Sequence, residues 1–393
     1  MNDHRLGTGL RFWLITLSLL IAWGGRGYGR QLRAGLAVTG LSDAILWGLY
    51  IGNFTFLVGL AASVVILLFL AHILRRPGME GVLLLGEAVA VTAVTLSLLF
   101  VFVDLGQPLR FWHALPLLGS LNFPRSIMAW DLVVLVLYLL ASVLFGLRLS
   151  KNDRRSSGQA IGLWIGLLLI LGLSIHTVTA FLLAAQPARP LWHDAMLAPH
   201  FLVSAFASGA GFLLLLLALL ERLRLFTRLD RVIDDLGGVL RASLLTDLFL
   251  LAVDCFVLFY RPTEATRAAR WLYLMPDNFF TAWIGVAWGA IVTALLLLLL
   301  PGRRRPVLLL AAALCCVGVW MEKGLGLVVP GFVPTPLGEI AGYLPSSTEI
   351  QVATGIWAMG ATLLTFLVRA ITRTVHAGYT AGQNTTAINT EDR

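Results

Sequence analysis

Residues 47–63 read WGLYIGNFTFLVGLAAS, and the VVILLFLAHIL that follows extends them into one unbroken apolar run. Asp43 and Arg75 bound the stretch, and no Asp, Glu, Lys or Arg stands between them. A bilayer is crossed by about 20 predominantly apolar residues, so the run reads as a membrane helix over about 44–73. Trp47 and Tyr50 at its start are amphipathic aromatics of the kind that settle at a membrane–water boundary. Gly59, Ala61, Ala62 and Ser63 then form a seam of small residues, and small residues let neighbouring membrane helices approach closely.

The rest of the chain repeats this pattern. Of its 393 residues 58% are hydrophobic and only 13% charged, with a mean hydropathy of +0.86. Soluble domains carry about 25% charged residues. Apolar runs recur at roughly 10–23, 44–73, 82–104, 127–148, 160–185, 198–220, 238–260, 279–300, 306–329 and 349–371. Short alternating segments, the mark of a membrane barrel, do not occur. The reading is an all-α polytopic membrane protein of about ten helices, followed from about residue 374 by a loose polar tail. The first run keeps no small-x-small cleavage site after it and reads as a retained helix.

Charge sets the expected orientation. Most of the 29 Lys and Arg fall at the two ends and in alternate loops, including Arg75-Arg76, the cluster from Arg148 to Arg155, and Arg303 to Arg305. The positive-inside rule then puts both termini in the cytoplasm of a prokaryotic inner membrane. The net charge of +8 is thereby explained by topology, with membrane lipid and no nucleic acid as partner. Three cysteines, Cys255, Cys315 and Cys316, lie in apolar runs without a CxxC, so an iron–sulfur cluster or structural zinc in this chain is not expected.

In that orientation the unusual polar residues collect at the outer ends of the helices. Trp47, Tyr50, Asn53 and Phe54 enter helix 2. Helix 3 ends in a turn containing Asp104, Arg110 and His113, and helix 4 opens with Arg125, Trp130 and Asp131. His176 lies inside helix 5. A quinol site needs hydrogen-bonding groups at both ring oxygens and acceptors for its protons. Asp131, Asp104 and His176 suit the proton chemistry, aromatic residues can pack the ring, and arginine can tune a carboxylate. Deeper acids form a second set: Glu87 in helix 3, and Asp247 and Asp254 in helix 7. The helix-7 pair are seven residues apart, hence on nearly one face and about 10 Å apart along the axis. Acids inside membrane segments are candidates for proton relays, with His176. Of the seven histidines only His176 sits well inside a run, so a bis-histidine haem is disfavoured; His176 with His200 is the pairing left open.

These stretches together resemble the NrfD/PsrC-like membrane subunits of polysulfide-reductase type. The likeness rests on WGLYIGNFTFLVGLAAS, DLGQPLRFW, NFPRSIMAWD, SIHTVTAFLLAAQPARPLWH, APHFLVSAFASG and WMEKGLGLVVPGF, and runs from about residue 43 to 370. FLVGLAAS and EKGLGLVVPGFVPTPLGEI most resemble the DsrP type found in DsrMKJOP sulfur-metabolism complexes. The resemblance implies two four-helix bundles, helices 2–5 and 6–9, with helices 1 and 10 flanking them. The segments would be 1–42 (first helix and outer loop), 43–187 (first bundle with a quinone pocket), 188–330 (second bundle), 331–373 (outer loop and last helix) and 374–393 (tail). It also implies a menaquinone or ubiquinone as cofactor, no haem or cluster in this chain, and an outer ferredoxin-like iron–sulfur partner (DsrO-like) beside DsrM-, DsrK- and DsrJ-like subunits. Members of polysulfide-reductase type carry a histidine where Phe54 stands here, and their asparagine is offset from Asn53. That shifts the expected headgroup contacts toward Asp104, Asp131 or His176.

The expected function is therefore a membrane quinone/quinol-reacting subunit of a redox complex, possessing no catalysis by itself, with proton translocation as an extension. A member of another complex in the same family, a passive membrane anchor and a secondary transporter are the rivals. A transporter would show paired broken helices near the midplane, and no clear pair is visible.

Overall fold

The computed structural model describes residues 2–114, 119, 122–150, 158–227, 229–260, 267, 270, 274, 279–302, 304–333 and 341–391, with backbone alone for residues 2–6, 80, 158–160 and 374–391. Lys151–Arg155 and Arg303, part of the basic loop pattern, lie outside the described residues. Ten helices among the described residues are long and apolar enough to cross a membrane. They are α1 (Gly7–Val38), α2 (Leu49–Ile73), α3 (Leu83–Asp104), α4 (Ile127–Ser150), α5 (Ile161–Ala184), α6 (Leu197–Arg222), α7 (Asp230–Tyr260), α8 (Phe279–Leu299), α9 (Arg305–Phe332) and α10 (Ser347–Arg373). No strand occurs among the described residues, and the chain is an all-α, multi-pass membrane protein.

Helices α2–α5 form one four-helix bundle and α6–α9 a second; α1 and α10 pair with each other, and α10 leans on α3. α2 is the hub, almost wholly buried, touching its own bundle, α6 and α9 of the other, and α10. Its small residues make this possible. A Cβ built on Gly59 would lie 3.6 Å from the Ala205 Cα of α6, and one on Gly209 of α6 would lie 3.2 Å from the Ser63 nitrogen. Larger side chains there would push the bundles apart, and between membrane helices such close backbone packing is a main source of cohesion.

α9 is interrupted. Its helical turns stop at Lys323, resume over Leu325–Val328, and close in a 3-10 turn at Pro330–Phe332. Gly324 marks the break, where a built Cβ would meet its own helix's Trp320 carbonyl and sit 3.1 Å from the Gly52 oxygen of α2. The carbonyl freed at Lys323 is not left bare, because Thr55 Oγ1 of α2 donates to it at 3.0 Å. A broken helix survives at membrane depth only where such partners exist.

Three elements depart from the sequence reading. The first helix does not end near Trp23; it runs to Ala34, because Gly24 and Gly27 lie against Gly355 and Gln351 of α10 and carry the helix across GGRGYGR. α7 starts at Asp230 instead of residue 238, with Asp230 in its first turn and Arg305 3.7 Å from that carboxylate. The last helix continues as helical backbone through Glu391, where a loose tail was expected; no proline follows Thr372 to stop it.

Candidate functional site

The strongest concentration of buried chemistry lies in the second bundle. His200 enters on the first turn of α6, just after a turn in which Asp194 Oδ1 accepts the Met196 N–H at 2.9 Å. Its imidazole faces three carboxylates. Nε2 lies 3.2 Å from Asp247 Oδ1 and 3.7 Å from Glu322 Oε1, and Nδ1 lies 3.9 Å from Asp254 Oδ2. The seven-residue spacing of the α7 acids is what lets both reach one ring, and Glu322 comes from the last turn of α9 before its break. His200, Asp254 and Glu322 border a cavity of 310 Å³ between α6, α7, α8 and α9. The other walls include Leu197, Leu251, Ile284 and Leu327, and the mouth carries His193 and Asp194. That volume falls at the lower end of the range of about 300–1,000 Å³ for small-molecule sites, which are mostly apolar with a few convergent polar groups.

A buried lysine continues this cluster toward the first bundle. Lys323, next to Glu322, is only 2% exposed; its ammonium donates to the Phe201 carbonyl at 2.8 Å and lies over the Phe201 ring at 4.2 Å. The end of the side chain comes against α2, 3.3 Å from where a Gly59 Cβ would be, so glycine there admits the lysine. On the far side stands His176 of α5, fully buried, within electrostatic range of Lys323 and beside the Gly59 carbonyl. Its Nδ1 donates to the Gly172 carbonyl at 2.5 Å, and Nε2 is buried with no hydrogen bond among the described residues. A row of titratable side chains thus runs from the cavity at His200 through Glu322 and Lys323 to His176.

The family model described as "Polysulphide reductase, NrfD" matches residues 37–334. The chain belongs to the NrfD family. Among its relatives, a putative dimethyl sulfoxide reductase membrane subunit of Halobacterium salinarum is 29% identical, over 91% of this chain and 90% of that protein. The "Hdr-like menaquinol oxidoreductase integral membrane subunit" of Archaeoglobus fulgidus is 23% identical, over 88% and 89%. A selenate reductase subunit of Mesobacillus selenatarsenatis is 25% identical, over 65% and 67%.

In this NrfD-family chain the residues singled out in the first bundle separate into three groups. Asp131 reaches α5 through Thr179, whose Oγ1 donates to Asp131 Oδ1 at 2.6 Å, and Thr179 is one turn along α5 from His176. Asp104 closes α3 beside Tyr50 and Glu349, and its Oδ1 is buried with no partner. Glu87 is buried on α3 facing Ser142 and Tyr138 of α4, and among the described residues no hydrogen bond or ion pair connects it to the row ending at His176.

The helix-2 residues are ties between helices. Asn53 Oδ1 accepts from Trp320 of α9 at 3.1 Å and from Trp357 of α10 at 2.9 Å, while its amide donates to Leu49 O at 2.8 Å. Tyr50 donates to Gln31 of α1 at 2.7 Å, and Phe54 is packed in the core. Trp47 stacks on Trp192, centroids 5.7 Å apart, and Phe332 stands edge-on to both. Arg110, His113 and Arg125 are exposed beyond the ends of α3 and α4, and Trp130 is exposed on the first turn of α4; His113 stacks on Trp112 at 3.9 Å, and the Trp130 N–H donates to the Pro124 carbonyl.

Sequence reasoning weighed His200 only as a haem ligand and overlooked Glu322 and Lys323. MEKG reads as the charged end of a helix, and only the break at Gly324 reveals that both side chains stay inside. The signal available was the KGLG sequence itself, since glycines in a membrane run after two charges mark an interruption that must be buried.

Proposed function

We propose that the chain is the quinone/quinol-reacting membrane subunit of a respiratory oxidoreductase, exchanging electrons between the quinone pool and an extramembrane iron–sulfur partner. The observation that carries this reading is the convergence of Asp247, Asp254 and Glu322 on His200 at the wall of a mostly apolar cavity. The Archaeoglobus fulgidus relative, named as a menaquinol oxidoreductase integral membrane subunit, supports it. A bound quinone supplies the two-electron chemistry, and the protein supplies binding, orientation and proton handling. Here Leu197, Leu251 and Ile284 would flank the ring, and His200 would exchange a proton at a ring oxygen while the three carboxylates balance its charge. Lys323 and His176 extend proton handling toward Thr179 and Asp131. With both termini cytoplasmic, the cavity opens on the outer face, where the partner would dock. The DsrP-type reading, with DsrO-, DsrM-, DsrK- and DsrJ-like partners in sulfur metabolism, rests on the FLVGLAAS and EKGLGLVVPGF stretches. The relatives named for dimethyl sulfoxide and selenate reduction favour the alternative of another complex within the same family.

A second placement of the ring, in the first bundle near Asp104, Asp131 and His176, is favoured by the bare buried atoms Asp104 Oδ1 and His176 Nε2, since buried polar atoms are normally paired. Quinone content and redox titration of the purified complex separate the two. Loss of quinone in His200→Gln, with retention in Asp131→Asn and His176→Ala, supports the second-bundle site. The opposite pattern moves the ring to the first bundle. A complex that holds no quinone and neither oxidises quinol nor reduces quinone overturns the function and leaves a membrane anchor.

A further inference from the structure

The groove between α1 and α10 is lined by Trp23, Arg26, Gly29, Arg30, Arg33 and Gln351 and has a volume of 590 Å³. It lies outside both bundles, against the pair of helices that the proposed redox chemistry does not use. The two helices touch beside it, because a Cβ built on Gly24 would come 2.6 Å from the Gly355 Cα and one on Gly27 would come 2.9 Å from the Gln351 Cβ. Gly29 keeps it open: no atom lies within 4 Å of where its Cβ would be.

Arg26, Arg30 and Arg33 recur at helical spacing and share one face of α1. Among the described residues none of the three is ion-paired. Arg30 donates to the Gln351 side-chain oxygen, which fixes one guanidinium at the wall without neutralising it. The nearest acid on α10 is committed elsewhere: Glu349 accepts from Tyr343 at 2.6 Å, from the Ser346 N–H at 2.8 Å and from the Gly40 N–H at 2.6 Å. The groove therefore presents three guanidinium groups with no counter-anion from the described residues.

Its depth in the membrane identifies the missing anion. Residues 12–25 of α1 carry no charge and rise about 21 Å, most of a hydrocarbon core of about 30 Å, and the long arginine side chains that follow can extend the remaining distance to the headgroup layer. Trp23, 42% exposed, stands at that same boundary, the usual level for an interfacial tryptophan. A phosphate meets guanidinium groups by paired N–H···O bonds, and acyl chains would lie along the exposed apolar flank of α1, which carries Phe12, Ile15 and Leu19. We infer that this groove holds the phosphate of an anionic phospholipid.

The test uses the intact, delipidated complex in detergent, with added phosphatidylglycerol or phosphatidylcholine. Readouts are melting temperature and phospholipid retained per complex. Phosphatidylglycerol is expected to stabilise the wild type more than phosphatidylcholine does. Arg26→Gln/Arg33→Gln should weaken its binding roughly 30-fold, about fivefold for each arginine near the headgroup layer. Arg26→Lys/Arg33→Lys keeps the charge, guards against a folding defect, and should weaken binding by a smaller factor. Equal phosphatidylglycerol affinity in all three proteins overturns the inference. So does equal stabilisation by inorganic phosphate alone, which would make the site one for a free anion. Loss of a partner protein from the glutamine variant with lipid affinity intact would assign the arginines to a protein interface and also overturn it.

Discussion

His200 of α6 holds its Nε2 3.2 Å from Asp247 Oδ1 of α7, and both side chains are almost completely buried. An ion pair or hydrogen bond in such a place is costly to leave half made, since removing one partner strands the other. It persists here because Glu322 and Asp254 close around the same ring and the cavity gives it a reactive face.

Asp247→Asn keeps the shape of that contact and removes its charge. If His200 exchanges protons with quinol, turnover of the complex falls by about 10²-fold or more, the usual range for a lost acid–base partner. Assembly and quinone content should be retained. Steady-state quinol oxidation alongside quinone extraction checks this, and unchanged turnover would remove Asp247 from proton handling.

Lys323→Met separates a proton-carrying lysine from a structural one. The replacement fills a similar volume without charge, and apolar replacements of buried charges are often neutral or stabilising. Thermal stability in detergent is expected to hold or rise while turnover falls at least about tenfold. A destabilised complex with normal turnover per folded molecule would mark the contact with the Phe201 carbonyl as purely structural.

Asn53→Leu removes one acceptor from two indole N–H groups, those of Trp320 and Trp357. Stranding buried donors costs about 1–3 kcal/mol each. The melting temperature should fall with quinone content per folded complex unchanged. A normal melting temperature with lost quinone would instead make Asn53 a ring contact.

Gly331→Ala tests the seam between the bundles. A Cβ at Gly331 would fall inside the Trp192 indole, whose N–H donates to the Leu327 carbonyl at 2.9 Å. Overpacking of this kind costs about 1–3 kcal/mol. Reduced thermal stability and faster chymotryptic cleavage after Trp192, followed by mass spectrometry, are the expected signs.

Tyr343 gives a pH dependence. Burial, and then the Glu349 carboxylate to which it donates, push its hydroxyl well above the ordinary tyrosine value of about 10. In the unfolded chain the proton leaves first, so ionisation favours unfolding. This stabilisation is complete below about pH 10 and is lost as pH rises above it. Thermal melts between neutral and alkaline pH should show a steeper alkaline loss in wild type than in Tyr343→Phe.

Much of the architecture was legible from hydropathy, because each membrane helix must satisfy its own backbone and so announces itself as one long apolar run. The seam at Gly59, Ala61, Ala62 and Ser63 marked α2 as a packing helix, and it became the hub. The shared face of Asp247 and Asp254 followed from helical periodicity alone. The site was less legible. Asn53 looks like a pocket residue until Trp320 and Trp357 are seen to hold it, and Lys323 looks like a helix-end charge until the break at Gly324 folds it inside.

By itself, the sequence determined the number of membrane helices, the small residues that allow them to touch, and the acids that lie inside the long apolar runs, Glu87, Asp247 and Asp254. Tertiary structure decided which of those side chains meet. His200 finds Asp247 and Glu322, and Lys323 approaches His176 past Gly59, only because α5, α6, α7 and α9 pack around α2 at one particular rotation and height. With no water in a bilayer core to satisfy a misplaced polar group, a helix turned by a fraction of a turn would leave each of these charges alone, and no local pattern in the chain encodes that alignment.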